Sequence, residues 1–210
     1  MKPDTRRRSA LGLALVTALA GGAGCAPVVI GGAMVGGVLA ATDRRTTGVQ
    51  LEDQSIEFKA AARVRELLPD RGHVNVTSYN RMVLITGEVP SDADKTAVEQ
   101  GIARIENVKS VVNELAVMGV SSFGQRSSDA LLSAKVKATF VDAKDVMANA
   151  FKVVAERGTI YLMGRVTERE ANVATELARS VPGVQRVVKV FETITEAELA
   201  AMQPKQTPAR

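Results

Sequence analysis

Two stretches of this chain, VLITGEVPSDADKTAV (83–98) and TIYLMGRVTEREA (159–171), run an apolar strand pattern into a glycine and then into a helix start. Placing Gly87 on Gly164, 77 residues on, carries Val74, Val76, Val83, Ile85 and Val89 onto Phe151, Val153, Ile160, Leu162 and Val166. ENVKSVVNEL matches PGVQRVVKVF at an offset of 76, so one residue is lost in the intervening helix. Apolar positions kept across two copies mark one supersecondary unit used twice. A pair is too few for a solenoid, so the chain is expected to form two domains, each with its own core.

Each unit reads as helix, hairpin, helix and strand. Ile56, Ala60, Val64 and Leu68 recur every four residues, as do Leu132, Val136 and Phe140, giving the first helix of each unit an apolar face. Hairpins are expected to turn at Tyr79-Asn80-Arg81 and at Arg157-Gly158, where Asn and Gly tolerate positive φ. Ser91 with Asp94 and Thr167 with Glu170 have the spacing of capping boxes. The helices they open bury Ala97, Ile102 and Ile105 in the first unit, and Ala174, Leu177 and Val181 in the second. Strands Lys109 to Val117 and Gln185 to Ile194 close the copies. Gly87 and Gly164 are structural: each ends its strand where a side chain would crowd the helix folding back.

The N-terminus lies outside this pattern. Arg6-Arg7-Arg8, the apolar run Leu11 to Ala20 and the small residues before Cys25 describe an export signal over 1–24. Its apolar core is shorter than the roughly 20 residues a spanning helix needs. Cys25 is the only cysteine, so no intrachain disulfide can form; at the signal's exit it resembles the lipobox cysteine of bacterial lipoproteins, and that resemblance makes it the expected lipidation site. Gly22 stands where an apolar residue is usual in such sites, while Ala23 and Gly24 suit theirs. Cleavage after Ala18-Leu19-Ala20 is the alternative and would leave Cys25 a free thiol. Residues 25–45, with VVIGGAMVGGVLAATDRR, read as a glycine-rich tether; 46–118 and 124–196 are the two domains, 119–123 the linker and 197–210 a disordered tail.

Charge sets limits on function. The net charge is +4, but Lys2 and Arg6 to Arg8 against Asp4 put +3 of it in the signal. What remains is too nearly neutral for a nucleic-acid footprint, and aromatics at 3% are too few for base stacking. His73 is the only histidine, without a second histidine or thiol to complete a metal site, and GGAMVGG lacks the Lys-Ser/Thr of a phosphate loop. Glu168 and Glu170 sit in a first helical turn, where cap and dipole account for them. Neither enzyme chemistry nor a cofactor is expected.

The two copies differ in charge and in one helix face. Residues 46–118 hold 8 Lys and Arg against 11 Asp and Glu, whereas 124–196 hold 11 against 9, so only the second domain inclines toward an anionic surface. Where the first helix of unit one carries Lys59, Arg63 and Glu66, that of unit two carries Leu131, Lys135 and Ala138. A surplus apolar stripe flanked by lysine suits a headgroup layer; it would equally suit packing against the first domain.

The order αββαβ, the glycine after the second strand, YLMGRVTEREA, GVQRVV and the upstream ATDRRTTG together resemble the dual BON-domain lipoproteins of the Gram-negative periplasm over about residues 25–196. That resemblance implies an α+β fold of two tandem domains, each a three-stranded mixed sheet on two helices. It also implies an outer-membrane location facing the periplasm, and a role in envelope integrity through anionic phospholipid such as phosphatidylglycerol. The candidate contact residues are Leu131, Lys135 and Ala138 with Leu132, Val136 and Lys137; Gly87, Gly164, Thr167 and Glu170 are candidates for a structural role. The competing expectation is a periplasmic adaptor that docks protein partners or oligomerises, with the Leu131 face buried.

Overall fold

The computed structural model describes residues 43–202. The signal-like segment, Cys25, the glycine-rich stretch through residue 42 and residues 203–210 lie outside the described residues. In the first unit α1 (Thr47–Leu67) leads to β1 (His73–Tyr79), β2 (Met82–Val89), α2 (Asp92–Ala103), β3 (Ser110–Asn113) and β4 (Ala116–Val117). In the second, α3 (Phe123–Asp142) and a 3-10 turn (Ala148–Ala150) lead to β5 (Phe151–Glu156), β6 (Thr159–Val166), α4 (Glu168–Ser180) and β7 (Arg186–Thr193). The central strands β2 and β6 pair antiparallel with β1 and β5, and parallel with β3 and β7. The repeat is visible in the register, where Val74 faces Gly87 as Phe151 faces Gly164. The fold is α+β, with two mixed sheets each carrying its helices on one face.

One device of the repeat has no hydrophobic signature. The hairpin turns are Asn80-Arg81 (φ 51° and 67°) and Arg157-Gly158 (φ 48° and 71°). Left-handed backbone at a non-glycine residue costs about 1–2 kcal/mol, and in each unit a buried aspartate of the preceding helix offsets it. Asp53 on α1 accepts the Asn80 and Arg81 amides, both at 2.8 Å, and the Ser78 hydroxyl at 2.6 Å. Asp129 on α3 accepts the Arg157 and Gly158 amides at 2.8 and 2.9 Å. Each carboxylate thus ties its helix to its hairpin through bonds to a charged acceptor, the stronger kind.

The glycines act differently from the sequence expectation. Gly87 and Gly164 do not end their strands; β2 runs on to Val89 and β6 to Val166. A Cβ at Gly87 would stand 1.9 Å from the His73 carbonyl oxygen, and one at Gly164 would stand 2.5 Å from that of Ala150. What crowds them is the backbone at the start of the partner strand, not the returning helix.

The two domains do not have wholly separate cores. One cluster per domain lies between sheet and helices, with Ile56, Ala60, Val83, Ile85, Val98 and Ile102 in the first and Leu132, Val136, Phe140, Ile160, Leu162 and Ala174 in the second. A third cluster, Tyr79, Leu84, Tyr161, Met163 and Val190, joins the opposite faces of the two sheets. β2 and β6 are therefore covered on both sides. The rim is polar: Asn75 donates to Glu156 at 3.0 Å, the Lys152 ammonium to Glu57 at 2.8 Å and Arg186 to Glu114 at 2.8 Å.

Four local expectations need correction. The strand expected over Lys109 to Val117 is broken into β3 and β4, because the Asn113 side chain accepts the Leu115 amide at 3.1 Å and turns Leu115 into the core. On α2 it is Val98 that is buried and Ala97 that is exposed, since only 98, 102 and 105 keep the 4-then-3 spacing of one face. Ser91 caps α2 from one side only: its hydroxyl accepts the Asp94 amide and donates to the Asp94 carboxylate, whereas Thr167 and Glu170 form the full reciprocal box. Residues 197–202, expected in a disordered tail, belong to α5 (Glu196–Met202), which buries Leu199.

Candidate functional site

Helix α3 starts at Ser122, whose hydroxyl accepts the Gln125 amide, and is fixed to its sheet by Leu132, Val136 and Phe140. Phe140, Phe151 and Phe191 stack edge to face, with centroids 5.4 and 5.9 Å apart. Leu132 and Val136 are therefore core, which removes them from the expected lipid-contact set. The opposite side of the helix is open. Leu131 is 65% exposed, Phe123 80% and Val141 72%, and Lys135, Lys137 and Ala138 are also exposed. At 3.6 residues per turn, Phe123, Leu131, Ala134, Ala138 and Val141 fall within a stripe about 80° wide, with Lys135 on one flank and Lys137 on the other. Packing of this face against the first domain is excluded by its exposure. Phe123 and Val141 were missed in the sequence, although extending the same helical count by two turns would have found them.

The segment leading into α1 is not a loose tether. Arg44 reaches the second domain, where its guanidinium donates to both Glu170 oxygens at 2.8 and 2.6 Å and to the Arg165 carbonyl at 2.7 Å. Both side chains are buried, 4% and 7% exposed. Arg45 reaches the first domain, donating to Asp53 at 2.8 Å and Asp43 at 2.7 Å and lying 4.2 Å over the Tyr79 ring. Adjacent arginines thus clasp the two domains. A cleft of about 520 Å³ opens beside them, lined by Asp43, Arg45 and Tyr79 and by Lys137 and Val141 of α3.

The clasp shifts its carboxylates. Burial alone would raise Glu170, but the Arg44 bonds and the Thr167 amide outweigh it and hold the carboxyl below its ordinary 4.5. Asp53 is likewise held below 3.8, since its bonds from Ser78, Arg81, Arg45 and Asn80 outweigh the burial that would raise it. A depressed folded value gives stability that is fully present above the unfolded value and lost as pH falls through the folded one. Acid unfolding is therefore expected to set in below about pH 4.5, the ordinary Glu170 value. A chain carrying both Arg44→Leu and Glu170→Gln should lose less stability than wild type between about pH 5 and pH 3. Urea midpoints measured across that range check this; parallel curves would show that Glu170 contributes nothing to the acid limb.

Glu170 and Thr167 hold α4 and the clasp, and Gly87 and Gly164 admit the backbone of β1 and of the turn before β5. His73 has more company than its sequence suggested. Its Nδ1 is 3.3 Å from Glu88, and Glu156 lies close enough that the three side chains form the single group among the described residues able to surround a metal ion. Glu88, however, is already engaged by the Arg157 guanidinium at 3.2 Å and by the Ser121 amide and hydroxyl. A cation there would sit against a fixed positive charge, so the group is read as an ion-pair seam between the domains.

The chain matches the BON domain family over residues 56–119 and 128–195. It belongs to that family, and within it to the outer-membrane lipoproteins. It is 41% identical over 172 residues to the outer membrane lipoprotein DolP of Haemophilus influenzae, covering 80% of this chain and 88% of that protein. A 21 kDa hemolysin of Actinobacillus pleuropneumoniae is 29% identical over 154 residues, 72% of this chain and 79% of that one. Among solved structures, CdsD, a structural protein of the type III secretion system of Chlamydia trachomatis, aligns over 71% of this chain and 99% of its own at 12% identity and a TM-score of 0.29. No described helix is long and apolar enough to cross a membrane.

Proposed function

We propose that this lipoprotein is non-catalytic, is acylated on Cys25, faces the periplasm, and supports outer-membrane integrity by binding anionic phospholipid through the outward face of α3. The observation that carries this reading is the stripe of Leu131, Ala138 and Val141 between Lys135 and Lys137, all of them exposed. Apolar side chains gain about 25 cal/mol per Å² on entering the acyl boundary, and each nearby lysine adds about 1 kcal/mol over an anionic leaflet. On α1, Leu51 and Phe58 are exposed too, but Lys59 and Arg63 there are already paired to Glu106 and Glu66.

The test is vesicle sedimentation of the chain from residue 43 onward, so that the clasp is retained. Binding is expected to vesicles containing phosphatidylglycerol and not to purely zwitterionic ones, and to weaken between about 0.05 and 0.5 M salt as the Debye length shrinks. Lys59→Glu should change it little. Equal binding to neutral and anionic vesicles would remove the lipid assignment; a defined oligomer burying Leu131 in its place would promote the adaptor reading.

A further inference from the structure

The two arginines before α1 do more than join the domains. They fix the point at which the chain leaves toward Cys25, because Arg44 is immobilised by a buried bidentate pair and Arg45 by two carboxylates and an aromatic ring. That exit is not at a neutral place on the surface. Asp43, the first described residue, lines the same cleft as Lys137 and Val141, which belong to the C-terminal half of the open α3 face. Between Cys25 and Asp43 lie 17 residues, so the two are at most about 60 Å apart when the chain is extended. The tether could let the domains turn any side to the membrane if it began at a free end. Held at residues 43–45, it begins beside α3.

We propose that the Arg44–Glu170 and Arg45–Asp53 clasp is a positioning device that makes an anchored chain present α3 to the leaflet holding its own anchor. The occupant of the α3 face is then a bilayer with anionic headgroups, matched by Lys135 and Lys137. The inference rests on the lipid reading above and adds orientation to it. Linked contacts raise effective concentration only when geometry lets both engage at once, and the clasp supplies that geometry. Arg44 and Glu170 touch no lipid; they act through where the chain emerges.

The experiment uses the full acylated chain reconstituted in phosphatidylglycerol-containing liposomes. Acylation consumes the only native thiol, so Ala138→Cys gives a unique site for a fluorophore on the α3 face. Quenching by phospholipids brominated on their acyl chains reports whether that face meets the bilayer. The half of the clasp that ties the exit to the domain carrying α3 is opened by Arg44→Leu with Glu170→Gln, a pair chosen because glutamine keeps the capping box and no buried charge is left alone. A melt of each chain excludes unfolding, with Arg44→Lys as a milder second variant. Quenching is expected in the parent and lost in the opened chain, while both, cut to residues 43–210, sediment equally with anionic vesicles. Equal quenching in parent and opened chains overturns the clasp inference and leaves lipid binding standing. No quenching in the parent, with no sedimentation of the cut chain, overturns both.

Discussion

Leu131→Glu is expected to abolish sedimentation with phosphatidylglycerol vesicles while leaving the melting temperature within about 2 °C of the parent, as for a surface change. Leu131 is 65% exposed and its neighbours Leu132 and Val136 make the core contacts, so a carboxylate at 131 disturbs no packing. On the proposed lipid reading the same carboxylate would have to enter the acyl boundary or hold the helix off it, and it would cancel one of the two flanking lysines. Losing the leucine and gaining a like charge act in the same direction, which makes this the largest single effect on binding expected at the site. Lys135→Glu should weaken binding less, since the apolar stripe survives. Undiminished sedimentation of a well-folded Leu131→Glu chain would exclude α3 as the lipid contact.

The sequence carried the repeat, the element order and the core stripes because these rest on apolar periodicity, which one chain displays to itself twice. It carried the α3 face for the same reason: Leu131 and Ala138 broke a pattern that Lys59 and Glu66 set. It did not carry the shared core, though a signal was present. On a strand whose Val83 and Ile85 face the helices, Leu84 faces the other way, and Tyr161 and Met163 do the same beside Ile160 and Leu162. Apolar residues on both faces imply a covered sheet, and the second domain is the cover. Asp53, Asp129 and the clasp were illegible because each depends on a polar side chain meeting backbone or charge far away in sequence. Arg44 and Glu170 are 126 residues apart.

The seam also bears on the choice between functions. A pair of domains meant to dock partners with independent faces would gain from a loose joint, but here the sheets share apolar side chains and the rim is tied by Asn75–Glu156, Lys152–Glu57 and Arg186–Glu114. The joint is rigid enough to hold one helix face in a fixed relation to the chain's exit. A surface proposed to meet a plane would require that, and the proposed binding would then depend on the integrity of both hairpins.

Gly87→Ala should therefore lose function through the fold, at a cost of more than about 4 kcal/mol, in the range reserved for strained or overpacked sites. Two effects add. The backbone at Gly87 has φ +113°, a region L side chains rarely adopt, and the new methyl would stand 1.9 Å from the His73 carbonyl oxygen, a backbone atom held in the β1–β2 ladder that has no side-chain freedom to yield. To admit it, β1 must separate from β2 at the end where His73 pairs with Glu88, opening the first core and the ion-pair seam together. Gly164→Ala is the internal control. Its methyl meets the Ala150 carbonyl at 2.5 Å, and its φ is outside the left-handed region, so a smaller backbone shift relieves it and the loss should be clearly less. Urea midpoints for the two alanine variants, compared at equal m-value, measure the difference. If Gly87→Ala unfolds at the same midpoint as Gly164→Ala or later, β1 is free to slide, and the two glycines are equivalent spacers instead of one strained and one crowded site.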